Sequence, residues 1–246
     1  MTFRELIHGK RVVFVGACPN LIGTAYGKVI DGFDVIIRTN GALYFANPAH
    51  FDEMREREPG FPFSSREKYT NDYGRRLDVL YVNNQFYRNH NKDLHICSTL
   101  GVKWVKSKTR MPKSEWMSDV PADGLGDVIN EVNRIVKSPA MGCYIARDIL
   151  NQRPEELHIC GIDFFESKNQ VFVHDDYREY VTGYLTPAIR AEGNRINAGK
   201  TQDGHNQYHN TRFFYDLWRV GQITMPAPLE TLMERIIARG DIHAHS

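Results

Sequence analysis

The sequence predicts an α/β fold: a single Rossmann-like, mostly parallel sheet with helices on both faces. Apolar runs of strand length recur along the chain, and segments of helical periodicity alternate with them. Polar residues follow the carboxyl ends of four of these runs. Because ligands of such sheets bind beyond the carboxyl ends of the strands, the same pattern predicts where a binding site should lie.

The first half of the chain supplies three of the predicted strands. In chain order we predict a helix at 3–8, a strand at 12–16, a loop and short helix at 21–30, and strands at 34–38 and 77–82. The stretch from Phe51 to Tyr73 is polar and is interrupted by Pro59 and Pro62. It therefore predicts an irregular excursion from the sheet.

The second half alternates helices with weaker strands. We predict strands at 93–97, 102–105 and 157–165, and helices at 122–136, 141–150, 206–220 and 229–239. Four glycines between 183 and 204 interrupt a region without sustained periodicity, which is typical of a long mobile loop. We predict one domain, 1–246, with a lid at about residues 166–204.

Composition predicts a soluble globular protein, with 41% hydrophobic and 25% charged residues among 246. The formal net charge of +1 argues against a uniformly basic surface, so nucleic-acid binding would have to be local. No apolar stretch has the length of a signal peptide or membrane span, which predicts a cytoplasmic protein. No CxxC pair or zinc-ligand spacing occurs among the cysteines, so reduced thiols in or near the core are expected at Cys18, Cys97, Cys143 and Cys160.

Three loops carry candidate ligand-binding groups. Gly16 permits close backbone approach after the first strand, and the loop to Asn20 leads into a helix whose N–H groups suit a phosphate. The loop matches neither GxGxxG nor GxxxxGK[ST], so a plain tight turn explains it equally well. Asn40 ends the second strand, and Asn83 and Asn84 follow the third. An Asn side chain can hold a phosphate oxygen or a ribose hydroxyl, although it also commonly caps a turn.

The segment from Gly23 to Asn40 resembles the large sialyl motif of eukaryotic-type sialyltransferases. The matching residues are Gly23, Tyr26, Gly27, Lys28, Ile30, Asp31, Asp34, Val35, Arg38 and Asn40. The second half resembles the short bacterial sialyltransferases, which need no metal. Its matching features are Met141-Gly142 at a helix start, Gly161-Ile162-Asp163-Phe164 at a strand end, and Gly204-His205 before a late helix.

The resemblance implies a sialyltransferase-like variant of the GT-A fold and a donor sugar activated by cytidine monophosphate. Asn40 and one of Asn83 or Asn84 would contact the nucleotide. The base and ribose would be framed by Met141, Gly142, Asp163 and Phe164. His205 would be the general base, and the acceptor would be a glycan or another hydroxyl compound.

General-base chemistry favours His205 on its own merits, because an imidazole that titrates near neutrality can take the acceptor proton. His209 lies one helical turn later and is the rival base or an acceptor contact. No D-x-D occurs in the chain, so we predict neither a metal nor a cofactor beyond the nucleotide-sugar co-substrate. The leaving phosphate would then need hydrogen-bond donors, for which the candidates include Tyr177, Tyr184 and Arg190.

Departures from the family patterns keep two alternatives open. Ala17 stands where the family loop has Asn, and Phe165 stands where the bacterial type has Tyr, so phosphate donors are missing or moved. A non-catalytic nucleotide-binding protein is one alternative. The other is a glycosyltransferase that modifies a hydroxylated base in DNA, with a UDP-sugar as a further donor option. Its support is the basic segment 102–116, which interleaves lysines and Arg110 with two tryptophans.

Overall fold

The structure, a computed structural model, describes residues 1–57, 63–83, 94–108, 120–164 and 207–240. Six strands form one sheet in the order β5-β4-β3-β2-β1-β6, and every neighbouring pair is parallel. The strands are β1 Arg11–Val15, β2 Val35–Thr39, β3 Val79–Val82, β4 Trp104–Ser107, β5 Ala122–Gly124 and β6 Glu156–Cys160.

Ten α-helices of the described residues pack around this sheet. They are α1 Phe3–Ile7, α2 Gly27–Asp31, α3 Ala42–Ala46, α4 Pro48–Arg57, α5 Arg66–Tyr73, α6 Ile96–Thr99, α7 Val128–Ile135, α8 Met141–Asn151, α9 Gln207–Arg219 and α10 Ala227–Arg239. A short 3-10 helix, Pro19–Leu21, follows β1.

Alternate residues of each strand point to opposite faces, and each face has its own apolar core. On one face, Val12 and Phe14 of β1 pack in a cluster with α1, α7, α8, α9 and α10. On the other face, Val13 and Val15 join a cluster with α2 to α5. The predicted parallel sheet with helices on both faces is therefore confirmed.

The order of the strands places a topological switch point between β1 and β6. From β1 the chain adds β2, β3, β4 and β5 in one direction, and then crosses the sheet to place β6 on the other side of β1. The α-helices that follow β1 and β6 in the described ranges, α2 and α9, lie on opposite faces of the sheet. Such a topological switch point is where parallel α/β sheets bind ligands.

The prediction of an irregular excursion from Phe51 to Tyr73 was wrong, because α4 and α5 include most of the described residues of this stretch. Pro48 begins α4, a position where proline costs no hydrogen bond. Ser65 caps α5 by accepting a hydrogen bond from the Lys68 N–H at 3.3 Å.

Two shorter predictions were also wrong. Residues 93–97 were expected to form a strand, but Ile96 begins α6, which buries Cys97. The helix expected at 122–136 begins only at Val128, and Ala122–Gly124 is instead the edge strand β5. Ala122 pairs with Val105 of β4 there.

The cysteines agree with expectation, since all four are free thiols; Cys97, Cys143 and Cys160 are buried, and Cys18 is half-buried. None of the helices in the described ranges is both long enough and apolar enough to cross a membrane.

Candidate functional site

Two glycines bring the ends of β1 and β6 into direct backbone contact. A Cβ on Gly16 would lie 2.4 Å from the carbonyl oxygen of Gly161, and a Cβ on Gly161 would lie 2.8 Å from that of Gly16. Gly161 also has φ +64°, which other residues rarely adopt. Both glycines are therefore required for the close approach at the switch point.

Hydrogen bonds hold the loop after β1 against the loop after β6. The Cys18 N–H donates to the Gly161 carbonyl at 2.8 Å, and Asn20 Nδ2 donates to the Ile162 carbonyl at 2.6 Å. The hydroxyl of Tyr73, the last residue of α5, donates to the Cys18 carbonyl at 2.6 Å. The phosphate-loop candidate is thus a fixed element of the edge, and Asn20 contributes to its shape.

Asp163 lies buried beside this loop contact and accepts a hydrogen bond from Cys18 Sγ at 3.1 Å. Burial, reinforced by the Asp163 charge, raises the pKa of the Cys18 thiol well above its usual value. Cys18 therefore stays protonated and serves as a hydrogen-bond donor, because a thiolate would be needed for nucleophilic attack.

Asn40 and Asn83 lie at the carboxyl ends of the neighbouring strands β2 and β3. Asn40 has φ +43°, and its Oδ1 accepts a hydrogen bond from the Asn83 N–H at 2.9 Å. Its side-chain amide nitrogen has no hydrogen-bond partner among the described residues, and the residue is half-exposed. The acceptor atom of Asn40 thus links the carboxyl ends of β2 and β3.

The start of α8 forms another wall. Gly142 packs at the ring of Phe14, and a Cβ there would lie 3.4 Å from both Phe14 and Phe214. The N-cap residue is Ala140, whose methyl group cannot accept a hydrogen bond. The first N–H groups of a helix lack partners inside the helix, so the half-buried Met141 and Gly142 offer donors at this edge.

The first turn of α9 forms hydrogen bonds with the segment after β6 and with the segment before α8. Gln207 Nε2 donates to the Phe164 carbonyl at 2.8 Å. Asn210 Nδ2 donates to the Ser138 carbonyl at 3.2 Å, and its Oδ1 accepts from the Ala140 N–H at 2.7 Å. His209 is half-buried in the same turn, and its ring meets Tyr208 edge-on.

Nine of the predicted residues lie in the described ranges, in segments that follow β1, β2, β3 or β6 or that begin α8 or α9. They are Gly16, Asn20, Asn40, Asn83, Met141, Gly142, Asp163, Phe164 and His209. The other predicted residues, with the lid at about 166–204, lie outside the described ranges: Asn84, Tyr177, Tyr184, Arg190 and His205. No group of three His, Cys, Asp or Glu side chains that could hold a metal occurs within the described ranges.

Sequence reasoning missed Gln207 and Asn210. A signal for Asn210 was present, because it shares the apolar stripe of α9 with Phe213, Phe214 and Leu217 at helical spacing. A polar residue on such a stripe needs buried hydrogen-bond partners.

The residues of the sialyl-like motif contact α5 and the turn after it. Asp72 of α5 accepts hydrogen bonds from the N–H groups of Gly23 at 2.7 Å and Ala25 at 2.9 Å. Asp31 accepts from the Arg75 N–H at 2.9 Å. These contacts fasten the motif to the helical layer of its face.

Arg38, the motif's arginine, is 2% exposed and also binds this region. Its guanidinium donates to the carbonyls of Tyr73 and Arg76, at the carboxyl end of α5 and beyond it. A cation at a helix C-terminus interacts favourably with the helix dipole. The role of Arg38 in the described structure is therefore to join α5 to the sheet.

The basic segment expected at 102–116 is described only as far as Lys108. Lys103 Nζ pairs with Asp78 at 2.8 Å, and the buried Lys106 pairs with Asp123 at 2.9 Å and Asp148 at 3.3 Å. Two cations that supported DNA binding are thus engaged within the protein.

The contact of Lys108 differs from those of Lys103 and Lys106. Its Nζ lies over the ring of Tyr144, 4.6 Å from the ring centroid, and burial lowers the pKa of the Lys108 ammonium group.

No family model matches the chain, and no curated protein matches it in sequence. Among solved structures, the sialyltransferase CstII from Campylobacter jejuni, in complex with the substrate analogue cytidine-5'-monophosphate, aligns with a TM-score of 0.50 and 11% identity. That alignment covers 89% of this chain and 79% of that one. A mammalian sialyltransferase aligns with a TM-score of 0.48 and 14% identity, over 91% of this chain and 71% of that one. The chain shares its α/β fold with the Campylobacter sialyltransferase.

Proposed function

We propose that this protein is a sialyltransferase-like glycosyltransferase, which transfers a sugar from a nucleotide-sugar donor to an acceptor hydroxyl. The carrying observation is that hydrogen-bond donors lie along the carboxyl edge of the sheet, which includes the β1–β6 switch point where a parallel α/β sheet binds nucleotides. Asn40 and the start of α8 supply donors there, and Asp163 supplies an acceptor. The Campylobacter enzyme of the same fold was solved with cytidine-5'-monophosphate, which supports a CMP-sugar as donor.

The proposed reaction is an inverting transfer without a metal. The acceptor oxygen attacks the anomeric carbon while His205 takes its proton, and the bond from that carbon to the phosphate oxygen breaks. CMP leaves with the electron pair, and its phosphate needs hydrogen-bond donors in place of a metal. Asn40 Nδ2 and the N–H groups of Met141 and Gly142 are the described donors that suit this role.

The nucleotide is tested by a thermal-shift series with CMP, UDP, GDP and their sugar conjugates. We expect CMP compounds to raise the melting temperature most, because a ligand that binds only the folded state stabilises it. A clear preference for UDP or GDP would rule out the CMP-sugar donor. The absence of any shift, with no binding by calorimetry, would contradict the proposed function.

Turnover is tested with the CMP-sugar that binds best, offered with a panel of glycan acceptors. Loss of a general base typically lowers kcat by about 10²- to 10⁴-fold. We expect that loss in His205→Ala with CMP affinity retained, and a much smaller loss in the matched variant His209→Ala. Nucleotide binding without turnover in the wild type would favour the non-catalytic alternative.

A further inference from the structure

Two residues at the candidate site hold strained backbone conformations. Phe164, which follows β6, has φ +50°, and Ser138, which precedes α8, has φ +52°. Residues other than glycine occupy this left-handed region at an energetic cost, and they remain there only where their surroundings hold them. Phe164 is the last residue of the segment 161–164, and Ser138 is the first residue of the segment 138–142. Both segments lie at the carboxyl edge.

The first turn of α9 binds the carbonyl groups of these same two residues. Gln207 Nε2 donates to the Phe164 carbonyl at 2.8 Å, and Asn210 Nδ2 donates to the Ser138 carbonyl at 3.2 Å. Asn210 Oδ1 also accepts from the Ala140 N–H at 2.7 Å and from Cys143 Sγ at 3.1 Å. One amide thus fixes both sides of the turn that leads into α8.

Packing alone does not require an amide at position 210. Asn210 is 1% exposed and shares the apolar stripe of α9 with Phe214, which contacts Phe164 with ring centroids 5.7 Å apart. An apolar side chain would fill such a site without the cost of burying a polar group. The amide therefore serves the backbone geometry of its neighbours.

We propose that Gln207 and Asn210 are positioning residues that hold the backbone at 138–143 and 161–164 in its nucleotide-binding conformation. This inference rests on the proposed function, because that function assigns the nucleotide to this edge. The two amides act through Ser138, Ala140 and Phe164. By fixing the strained backbone before the ligand arrives, they remove an ordering cost that binding would otherwise include.

The first test is Gln207→Met in the full chain, with CMP as the calorimetric probe. Met preserves the side-chain length of this half-buried residue and removes its N–H donor. Loss of one hydrogen bond predicts CMP affinity weaker by about threefold to tenfold. The matched control, Gln222→Met, makes the same change at an exposed position beyond α9 and should leave the affinity unchanged.

The second test compares Asn210→Asp with and without Ser138→Gly. Asp keeps the acceptor for the Ala140 N–H and loses the donor to Ser138, and the start of α8 stabilises its charge. We expect weaker CMP binding in Asn210→Asp and recovery of most of it in the double variant, because glycine tolerates a positive φ. If the new negative charge weakened CMP binding by repulsion, the double variant would bind CMP as weakly as the single variant. Failure to recover affinity would therefore contradict the role of backbone strain at Ser138.

Amide hydrogen exchange without nucleotide separates this inference from the proposed function. We expect faster exchange at 161–164 in Gln207→Met and at 138–143 in Asn210→Asp, with wild-type rates elsewhere in the sheet. If both variants exchange like the wild type, the inference is overturned whatever nucleotide binds. If the wild type binds none of CMP, UDP and GDP, the proposed function fails, and the exchange rates still decide whether the amides hold the backbone.

Discussion

The motif segment at residues 23–38 and the carboxyl edge of the sheet, where the motif itself ends at Asn40, use their polar groups in different ways. In the motif segment, Asp31 and Arg38 bind the backbone of α5 and the turn after it, and Asp72 of α5 binds the motif in return. At the edge, by contrast, Asn40 uses one atom for the fold and leaves two N–H donors without a described partner. Most of the motif residues therefore build the scaffold, and the last of them, Asn40, keeps side-chain donors without a described partner at the carboxyl edge.

This difference explains why a family resemblance predicts the fold better than the substrate. Close contacts with α5 and the turn after it constrain the motif residues, so their pattern is tied to the fold. At the carboxyl edge, the identity of the side chains depends on the ligand instead, and Ala17 departs from the family pattern there. Substitutions in the motif segment should therefore act mainly on stability, and substitutions at the edge mainly on nucleotide affinity.

The largest expected effect is on stability, from Gly27→Ala in the motif segment. A Cβ on Gly27 would lie 2.1 Å from the Thr70 carbonyl oxygen and 2.6 Å from that of Asn71, both on the backbone of α5. Because neither atom can move cheaply, we expect the free energy of unfolding to fall by about 3 kcal/mol or more in urea denaturation.

Gly32→Ala is the matched control, since its Cβ would meet the Val29 carbonyl oxygen at 3.3 Å. That change should alter stability by no more than about 1 kcal/mol. Equal stabilities for the Gly27 and Gly32 variants would mean that the contact of α2 with α5 is not essential to the scaffold.

A smaller effect is expected in the pH dependence of stability, through His158 of β6. His158 Nε2 lies 2.9 Å from the hydroxyl of Tyr26 in the motif segment, and Nδ1 lies 2.8 Å from Thr224 Oγ1. Burial lowers the pKa of His158 below its usual 6.5. Other charged groups act on it more weakly, with Glu156 and Glu230 raising the pKa and Arg11 lowering it.

Because the folded state keeps His158 neutral, the unfolded state binds its proton at higher pH. The His158 contribution to stability is therefore complete above about pH 6.5 and is lost as the pH falls toward the lowered pKa. As the pH decreases from about 7.5 to about 5.5, we expect the urea midpoint of His158→Gln to fall less than that of the wild type. An unchanged slope would show that His158 is charged in the folded protein or does not titrate in this range.

The sequence predicted the elements that bury continuous apolar runs. Strands β1, β2, β3 and β6 were expected because such runs end at glycine or polar residues, and α8 to α10 because apolar residues recur at helical spacing. α5 was missed because its buried face is Tyr69, Asp72 and Tyr73, which reads as polar. The three-residue strand β5 has no periodicity of its own, and pairing with β4 decides its conformation.

The positions of some candidate site residues could also be predicted from the sequence. Parallel topology brings all strand ends to one edge, so Asn40 and Asp163 were expected there from their positions alone. The bonds from Gln207 and Asn210 to carbonyls far away in sequence were not foreseeable, because nothing in a local pattern identifies a backbone acceptor 43 or 72 residues distant. The tightness of the Gly16–Gly161 contact likewise depends on tertiary packing.

The smallest effect on stability, and the sharpest test of the comparison, is expected from Asn40→Asp. Asp keeps the oxygen that accepts from the Asn83 N–H and removes the two N–H donors that face the edge. We expect stability to change by no more than about 0.5 kcal/mol. CMP affinity measured by calorimetry should weaken by about threefold to tenfold, because a donor to the phosphate or ribose is lost and a negative charge is added.

Asn47→Asp provides the matched control for that change. Asn47 Oδ1 also accepts a backbone N–H, from Ala49 at 3.2 Å, and the residue lies at the start of α4. The same substitution there adds the same charge and keeps the same kind of hydrogen bond, so CMP affinity should stay at its wild-type value. If Asn40→Asp also left the affinity unchanged, Asn40 would serve the fold alone, and the division between scaffold and ligand-facing residues would not hold at β2.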